Sequence, residues 1–286
     1  MKIGSHMQNG GSISDLIYSI IEEGGNAMQI FVNDPNDRSD PRKISNPELI
    51  QQMLNNTGVF LVIHGKYIYN FCRTIGWQKE ALVKELQTAS ELGPNIDVVI
   101  HQGKNVKSLK LNHQEAIQTY VDNIKTVIAM TPKLKNKILL ENSCQQGTEI
   151  GYSLKDLSEI WSRFTGKEKE RLGFCLDTCH IYVAGQLQFK SSKEVKDFFN
   201  EFDKLIGLSY LKLIHFNDSK TKFDGHNDHH GDFTNGFISN TSKGGNLEGV
   251  KTLAKLANEY EIPMILETPM EALDRRSQIK LVKSWI

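Results

Sequence analysis

Six short apolar runs in this 286-residue chain stop on a residue that can hold a metal ion. Leu61-Val62-Ile63 is followed by His64, Val98-Val99-Ile100 by His101, and Ile138-Leu139-Leu140 by Glu141. Gly173-Phe174-Cys175-Leu176 is followed by Asp177, Leu211-Lys212-Leu213-Ile214 by His215, and Met264-Ile265-Leu266 by Glu267. Each run is too short and too β-rich for a helix and reads as a buried strand. One His or Glu at a strand end is ordinarily a solvated terminus, and an unpaired carboxylate costs several kcal/mol to bury. Six such ends in the same relative position are another matter. If the strands are parallel and adjacent, all six side chains converge on one mouth. Imidazoles and carboxylates without organised cysteine suit Zn²⁺, Mn²⁺ or Fe better than Mg²⁺ alone.

Two further segments extend the pattern. His180 follows Asp177 by three residues, so the two side chains leave one turn in different directions, toward neighbouring ions. In Asn227-Asp228-His229-His230, Asp228 and His230 reach one metal if the backbone is extended there, with His180 as the third ligand. His113, on a helix, reads as a solvated surface residue; for His226 and His229 surface and site remain equally open.

The elements that must position these groups alternate in type. Strands are expected near Lys2–Gly4, Ala27–Val32, Val59–Ile63, Asp97–Ile100, Lys137–Leu140, Gly173–Leu176, Tyr210–Ile214 and Pro263–Leu266. Amphipathic stretches lie between them at Ser14–Glu23, Gln78–Leu92, Gln114–Met130, Ser192–Leu205, Leu247–Tyr260 and Met270–Ser284, and a shorter helix capped by Ser153 runs to Trp161. Eight βα alternations predict an α/β chain folded as a single (β/α)₈ TIM barrel over residues 1–286, a fold whose active sites sit at the C-terminal strand ends. The segments Asn33–Asn46, His64–Trp77 and His215–Gly245 read as long loops on that catalytic face.

Composition narrows the classes. No apolar run approaches the ~18 residues of a membrane span, and the first residues lack a signal-peptide apolar region. The four cysteines form no CxxC pair, which points to reduced thiols in an intracellular protein, cytoplasmic or nuclear, and not a secreted one. Lys and Arg total 34 and Asp and Glu total 34, a balance unlike that of a basic nucleic-acid-binding surface. Metal ions held by Glu141, Asp177, Asp228 and Glu267 would themselves supply positive charge in the concave site.

The motifs His64-Gly65-Lys66-Tyr67-Ile68-Tyr69-Asn70, Gly173-Phe174-Cys175-Leu176-Asp177-Thr178-Cys179-His180 and His215-Phe216-Asn217-Asp218-Ser219-Lys220, the last followed by Asp228-His229-His230, occur in this order. With His101-Gln102-Gly103, Glu141-Asn142, Gly147 and Ile265-Leu266-Glu267-Thr268, they make the chain resemble, over nearly its whole length, the zinc-dependent endonuclease IV family of abasic-site (AP) endonucleases. The resemblance implies three zinc ions per chain, with Mn²⁺ as a substitute. His64, His101 and Glu141 would hold the first; Glu141, Asp177, His215 and Glu267 the second; His180, Asp228 and His230 the third. Glu267, Glu141 and Asp177 are then also the catalytic carboxylates. The implied partner is duplex DNA carrying abasic or 3′-blocked lesions, cut 5′ to the abasic sugar by a monomeric enzyme of base excision repair. Tyr67 and Ile68 would wedge into the lesion, and Asn70, Arg38, Asn217, Lys220 and His229 would contact DNA. The chain departs from the family at His229, where Arg is usual, at Gly65-Lys66, and in Asn33–Arg38, where Arg38 is the nearest substitute for a common Gln/Arg pair. The competing readings are a metal-dependent sugar isomerase or epimerase on the same barrel and a non-catalytic DNA-binding protein.

Overall fold

The computed structural model describes residues 1–7 and 11–286. Eight parallel strands close into a barrel: β1 (Ile3–His6), β2 (Ala27–Ile30), β3 (Phe60–His64), β4 (Val98–His101), β5 (Ile138–Glu141), β6 (Leu172–Asp177), β7 (Leu211–His215) and β10 (Met264–Leu266). The ring runs in sequence order and closes where β10 pairs with β1, Ile3 opposite Met264. The two-residue strands β8 (Asp218–Ser219) and β9 (His230–Gly231) pair antiparallel within the third loop.

Inside the barrel a thin apolar layer is made of Ala27, Val62, Val99, Leu139, Cys175, Leu213 and Ile265, all fully buried. Side chains alternate between the two faces of a strand, so the residue two places further on also points inward. Those residues are Gln29, His64, His101, Glu141, Asp177, His215 and Glu267. The eighth strand contributes Gly4 and then His6; a β-carbon on Gly4 would lie 1.5 Å from the Ala27 carbonyl oxygen, so only glycine lets β1 and β2 approach there. The opposite strand faces carry the large core under the surrounding helices, with residues such as Ile63, Ile100, Leu140, Phe174 and Ile214 buried against them.

The helices are α1 (Ile13–Glu22), α2 (Pro47–Thr57), α3 (Gly76–Leu92), α4 (His113–Met130), α5 (Leu154–Ser162), α6 (Gly166–Lys169), α7 (Thr178–Val183), α8 (Ser192–Leu205), α9 (Leu247–Glu259) and α10 (Arg275–Lys283). Three of them, α2, the short α6 and α7, add to the pattern read from sequence. Pro47, at the start of α2, supplies the fixed φ that suits a first helical turn, and the one-and-a-half-turn α7 begins directly off β6. The helix expected from Met270 starts five residues later. Asp232 accepts hydrogen bonds from the backbone N–H groups of Met270 (2.9 Å), Ala272 and Leu273, and this bent segment delays the helix until Asp274 caps it. Strand β1 runs two residues beyond the expected Gly4 and so brings His6 to the mouth.

At the opposite end of the barrel Asp97 accepts the Lys137 backbone N–H at 2.7 Å, and burial pushes its carboxyl up to about 6, against the pull of that bond and of the Lys137, Lys212 and Arg171 charges. A raised carboxylate pKa means the folded state favours the proton, so stability falls as pH rises from about 4 to 6. Asp97→Asn keeps the acceptor and removes that loss. We expect urea melts to show the variant gaining about 1–2 kcal/mol over wild type at pH 7–8 and nothing near pH 4.

Candidate metal centre

At the C-terminal mouth of the barrel the inward-pointing polar layer meets two loop-borne groups. Ligand-type atoms of His64, His101 and Glu141 lie within 4.8 Å of one another, as do those of Glu141, Asp177, His215 and Glu267, and those of His180, Asp228 and His230. The structure thus brings together all nine ligand candidates in the three groups expected. Glu141 belongs to two of them by its geometry. Its Oε2 faces His64 Nε2 (3.6 Å) and His101 Nε2 (3.3 Å), while its Oε1 faces His215 Nδ1 (2.9 Å). In the third group Asp228 lies 3.1 Å from both His180 Nε2 and His230 Nε2. Ligands of one tetrahedral ion with bonds of 2.0–2.1 Å stand about 3.3 Å apart, so these gaps are of cation size.

Local structure aims each ring. Asp177 ends β6 and caps α7, its Oδ1 accepting the His180 N–H at 2.9 Å, so one turn fixes both residues. His230 sits on β9 opposite Ser219, which swings it from the long third loop back over the barrel. His180 Nδ1 is 2.8 Å from the Asn142 carbonyl oxygen, His64 Nδ1 2.7 Å from that of Gly65, and His215 Nε2 2.8 Å from Gln29 Oε1. Each of these rings spends one nitrogen on the protein and turns the other into the cluster, the usual support of a metal-binding histidine. Glu141 Oε2, His180 Nε2 and His230 Nε2 are buried without a hydrogen-bond partner. Such atoms are costly unless something binds them, and a cation fits all three.

Charge balance points the same way. Burial raises the Glu141 carboxyl, but His215 and His101 more than offset it and hold the group well below the usual carboxylate range. Burial likewise works against Glu267, which His215, His230 and His64 bring down to about 2. Burial lowers His230, yet Asp177 and Asp228 lift it to about 9, and the same two carboxylates lift buried His180 well above its ordinary value. The four carboxylates therefore demand positive charge, which either imidazole protons or bound cations supply. Among the described residues a further grouping of Asp177, Cys179 and His230 has metal-site spacing, but burial keeps the Cys179 thiol protonated and makes it a poor ligand.

Two members of the mouth layer escape a reading based on strand ends. His6 lies two residues beyond the expected end of its strand and Gln29 lies inside its own, so neither closes an apolar run. Strict alternation from Gly4 and Ala27 would have found both. Gln29 Nε2 donates to Glu267 Oε1 at 2.6 Å and lies 3.0 Å from His6 Nδ1, while its Oε1 faces His215. Burial brings His6 down to about 4, despite the pull of Glu267.

The cluster floors a groove of about 1150 Å³ lined by Tyr67, Ile68, Asn70, Lys220 and His229. Tyr67 is 47% exposed, with its ring 5.6 Å from that of His101. Three of the residues expected to touch DNA make contacts within the chain. Asn217 is fully buried, donating to Asp177 Oδ2 (2.7 Å) and accepting the Glu267 N–H (2.7 Å), so it aims two cluster carboxylates. Asn70 uses its side chain within the fold, accepting from the N–H groups of Cys72 and Lys104 and donating to the Lys104 carbonyl. The Arg38 guanidinium lies 4.9 Å from the Trp77 ring centre, outside the groove wall, where Arg42 stands instead. His113, read as solvated, pairs with Asp156 at 2.9 Å.

Fold and site together define a (β/α)₈ barrel with a polynuclear metal-type cluster at its catalytic mouth. The xylose isomerase-like TIM barrel family matches residues 18–285. A protein of Acanthamoeba polyphaga mimivirus assigned as endonuclease 4 is 36% identical, with 92% of this chain and 86% of that protein covered. One of Persephonella marina, assigned likewise, is 34% identical over 95% of this chain and 92% of its own length. The crystal structure of endonuclease IV from Thermus thermophilus superposes with a TM-score of 0.81 at 22% identity, covering 100% of this chain and 98% of that one. A D-tagatose 3-epimerase-like protein reaches 0.72 at 17% identity, covering 100% and 97%, a likeness of fold alone. Within this class of barrels, the chain belongs to the endonuclease IV family.

Gln29 orients His215 and Glu267 at once. Gln29→Leu should weaken metal retention about 10–100-fold, the usual cost of losing a ligand's hydrogen-bond partner. Competition against a chromophoric chelator measures it, and unchanged retention would detach Gln29 from the cluster.

Proposed function

We propose that the chain is a DNA-repair AP endonuclease, hydrolysing duplex DNA on the 5′ side of an abasic sugar to leave a 3′-hydroxyl and a 5′-deoxyribose phosphate, and clearing blocked 3′ ends. In this reading His64, His101, Glu141, Asp177, His180, His215, Asp228, His230 and Glu267 hold three ions, chiefly zinc, with Mn²⁺ as a substitute. The observation that carries it is the nine-residue cluster lying under a groove that a half-exposed aromatic overlooks. Membership in a metal-dependent nuclease family favours it over a sugar isomerase.

When bound, the ions supply Lewis acidity that acidifies water and offsets charge on the attacking and departing oxygens of the phosphodiester. The rest follows from the chain. Glu267 lies at the groove edge of the cluster with Oε1 fixed by Gln29, and it orients the attacking water and accepts its proton. Glu141 and Asp177 hold the histidines in place. Water adds to phosphorus, the bond to the 3′-oxygen breaks, and the proton taken up by Glu267 passes through solvent to the departing oxygen, which leaves as the 3′-hydroxyl. Tyr67 and Ile68 enter the gap left by the missing base, where wedging and nucleotide flipping cost least. Lys220 pairs with Glu271 at 2.7 Å, and a DNA phosphate replaces that partner. His229 and Arg42 face the same groove.

The direct test is incision of a duplex carrying one tetrahydrofuran abasic analogue, before and after chelation. Incision that chelation abolishes is expected; no incision, with aldose–ketose conversion instead, would move the chain to the sugar isomerases. Elemental analysis of active protein should give close to three transition-metal ions per chain, and a consistent value of one would end the trinuclear assignment.

Glu267→Gln and Tyr67→Ala should separate cutting from recognition. Glu267→Gln is expected to lower kcat by roughly 10²-fold or more while lesion binding persists. Tyr67→Ala should cost about 1–3 kcal/mol in lesion affinity, the scale of a lost stacking contact, and leave cleavage of a small phosphodiester intact. Equal loss of small-substrate cleavage in both would make Tyr67 a support of the cluster rather than a wedge.

A further inference from the structure

Behind the groove wall lies a buried carboxylate with no part in the metal cluster. Glu85, in the middle of α3, is fully buried. Its Oε1 accepts from Asn33 Nδ2 at 3.0 Å, and its Oε2 accepts from the Tyr69 hydroxyl at 2.9 Å. Asn33 opens the loop after β2, and Tyr69 belongs to the loop after β3. Lys66 is itself buried and donates to the Asp34 carbonyl at 2.7 Å. It lies 3.8 Å from Asp37 Oδ1 as well. The Tyr67 N–H donates to the Pro35 carbonyl at 3.0 Å, stitching the two loops once more. At Gly65 a β-carbon would stand 3.3 Å from Glu85 Oε2 and 3.0 Å from the Val99 carbonyl, so the chain runs hard against this group as it leaves β3.

An apolar residue would satisfy the packing between α3 and the barrel without the cost of burying a carboxylate. What Glu85 adds is connection. Tyr67 and Ile68 fall between Lys66 and Tyr69, and both flanking residues are tied down, Tyr69 to Glu85 and Lys66 to the Asp34 carbonyl of the loop after β2. Burial raises the Glu85 carboxyl to about 7, against the hydrogen bonds from Asn33 and Tyr69 and the charge of Lys66.

We propose that Glu85 is a positioning residue for DNA recognition: it locks the loops after β2 and β3 into one platform that presents Tyr67 and Ile68, and so sets lesion affinity rather than cutting rate. The inference rests on the DNA-repair reading above. A platform ordered in advance spares binding the entropy of ordering it.

The test uses the metal-loaded full-length protein, with a tetrahydrofuran duplex and bis(p-nitrophenyl) phosphate as substrates. Glu85→Ala is expected to raise KM for the duplex about tenfold with kcat within twofold, and to leave cleavage of the small phosphodiester unchanged. Tyr69→Phe should shift KM several-fold in the same sense. Glu85→Gln should recover most of the loss, because its amide accepts from Asn33 and donates to the Tyr69 oxygen. If wild type incises and KM is unchanged in Glu85→Ala and Tyr69→Phe, the platform is overturned while the repair assignment stands. A parallel fall in kcat and small-substrate cleavage would also overturn it, making Glu85 a support of the metal site. Failure of wild type to incise would remove the repair assignment first and the platform with it. Should Glu85→Ala not fold, Tyr69→Phe and Asn33→Ala decide by the same KM criterion.

Discussion

Alternation of side chains along a closed parallel sheet governs this molecule. Each barrel strand places a small or apolar residue in the interior, and the residue two places further on must then also point inward, one layer nearer the mouth. In all eight strands that second residue is polar: His6, Gln29, His64, His101, Glu141, Asp177, His215 and Glu267. The apolar layer beneath keeps water from the floor of the site, and the polar layer has nowhere else to go. Folding the barrel and assembling the cluster are therefore one event, driven by the burial of the strand faces against the helices.

Crowding so much charge requires compensation, and the structure provides it in two ways. Amides aim the carboxylates and rings: Asn217 ties Asp177 to Glu267, Asn142 receives the Asp177 N–H, and Gln29 spans Glu267 and His215. The second compensation is cationic. Glu141 has imidazoles on both of its oxygens, and the His180 and His230 nitrogens facing Asp228 have no other bond. These side chains are held ready for a cation by partners that would be superfluous in an ordinary polar core.

Around this fixed floor the loops carry the selectivity. The loop after β3 holds a half-exposed tyrosine over the cluster, and the loop after β2 packs against it through backbone bonds and a shared carboxylate. The third loop folds back through the β8–β9 pair, which is why Asp228 and His230, far from any barrel strand in sequence, complete the site. The chain is formally neutral, and cations held by the cluster would place positive potential at the groove floor.

Eight strands, the barrel they imply and six of the eight inward polar residues are legible from residue order alone, because short β-rich runs ending in His, Asp or Glu are a local signal. The His180, Asp228 and His230 triad is legible too, through spacing and motif. What depends on distant partners emerges only on folding. His6 and Gln29 join the mouth because β1 runs past Gly4 and β2 stops at Ile30, boundaries set by pairing between strands rather than by composition. Asn217, Asn70 and Arg38 make contacts within the chain that residue order does not show, because Glu267, Lys104 and Trp77 lie beside them only once the chain is folded. The link from Glu85 to Asn33 and Tyr69 spans 52 and 16 residues, and a lone glutamate within a helical pattern gives no local sign of it. Periodicity reports which face a residue takes; only the closed fold reports which other residues share that face.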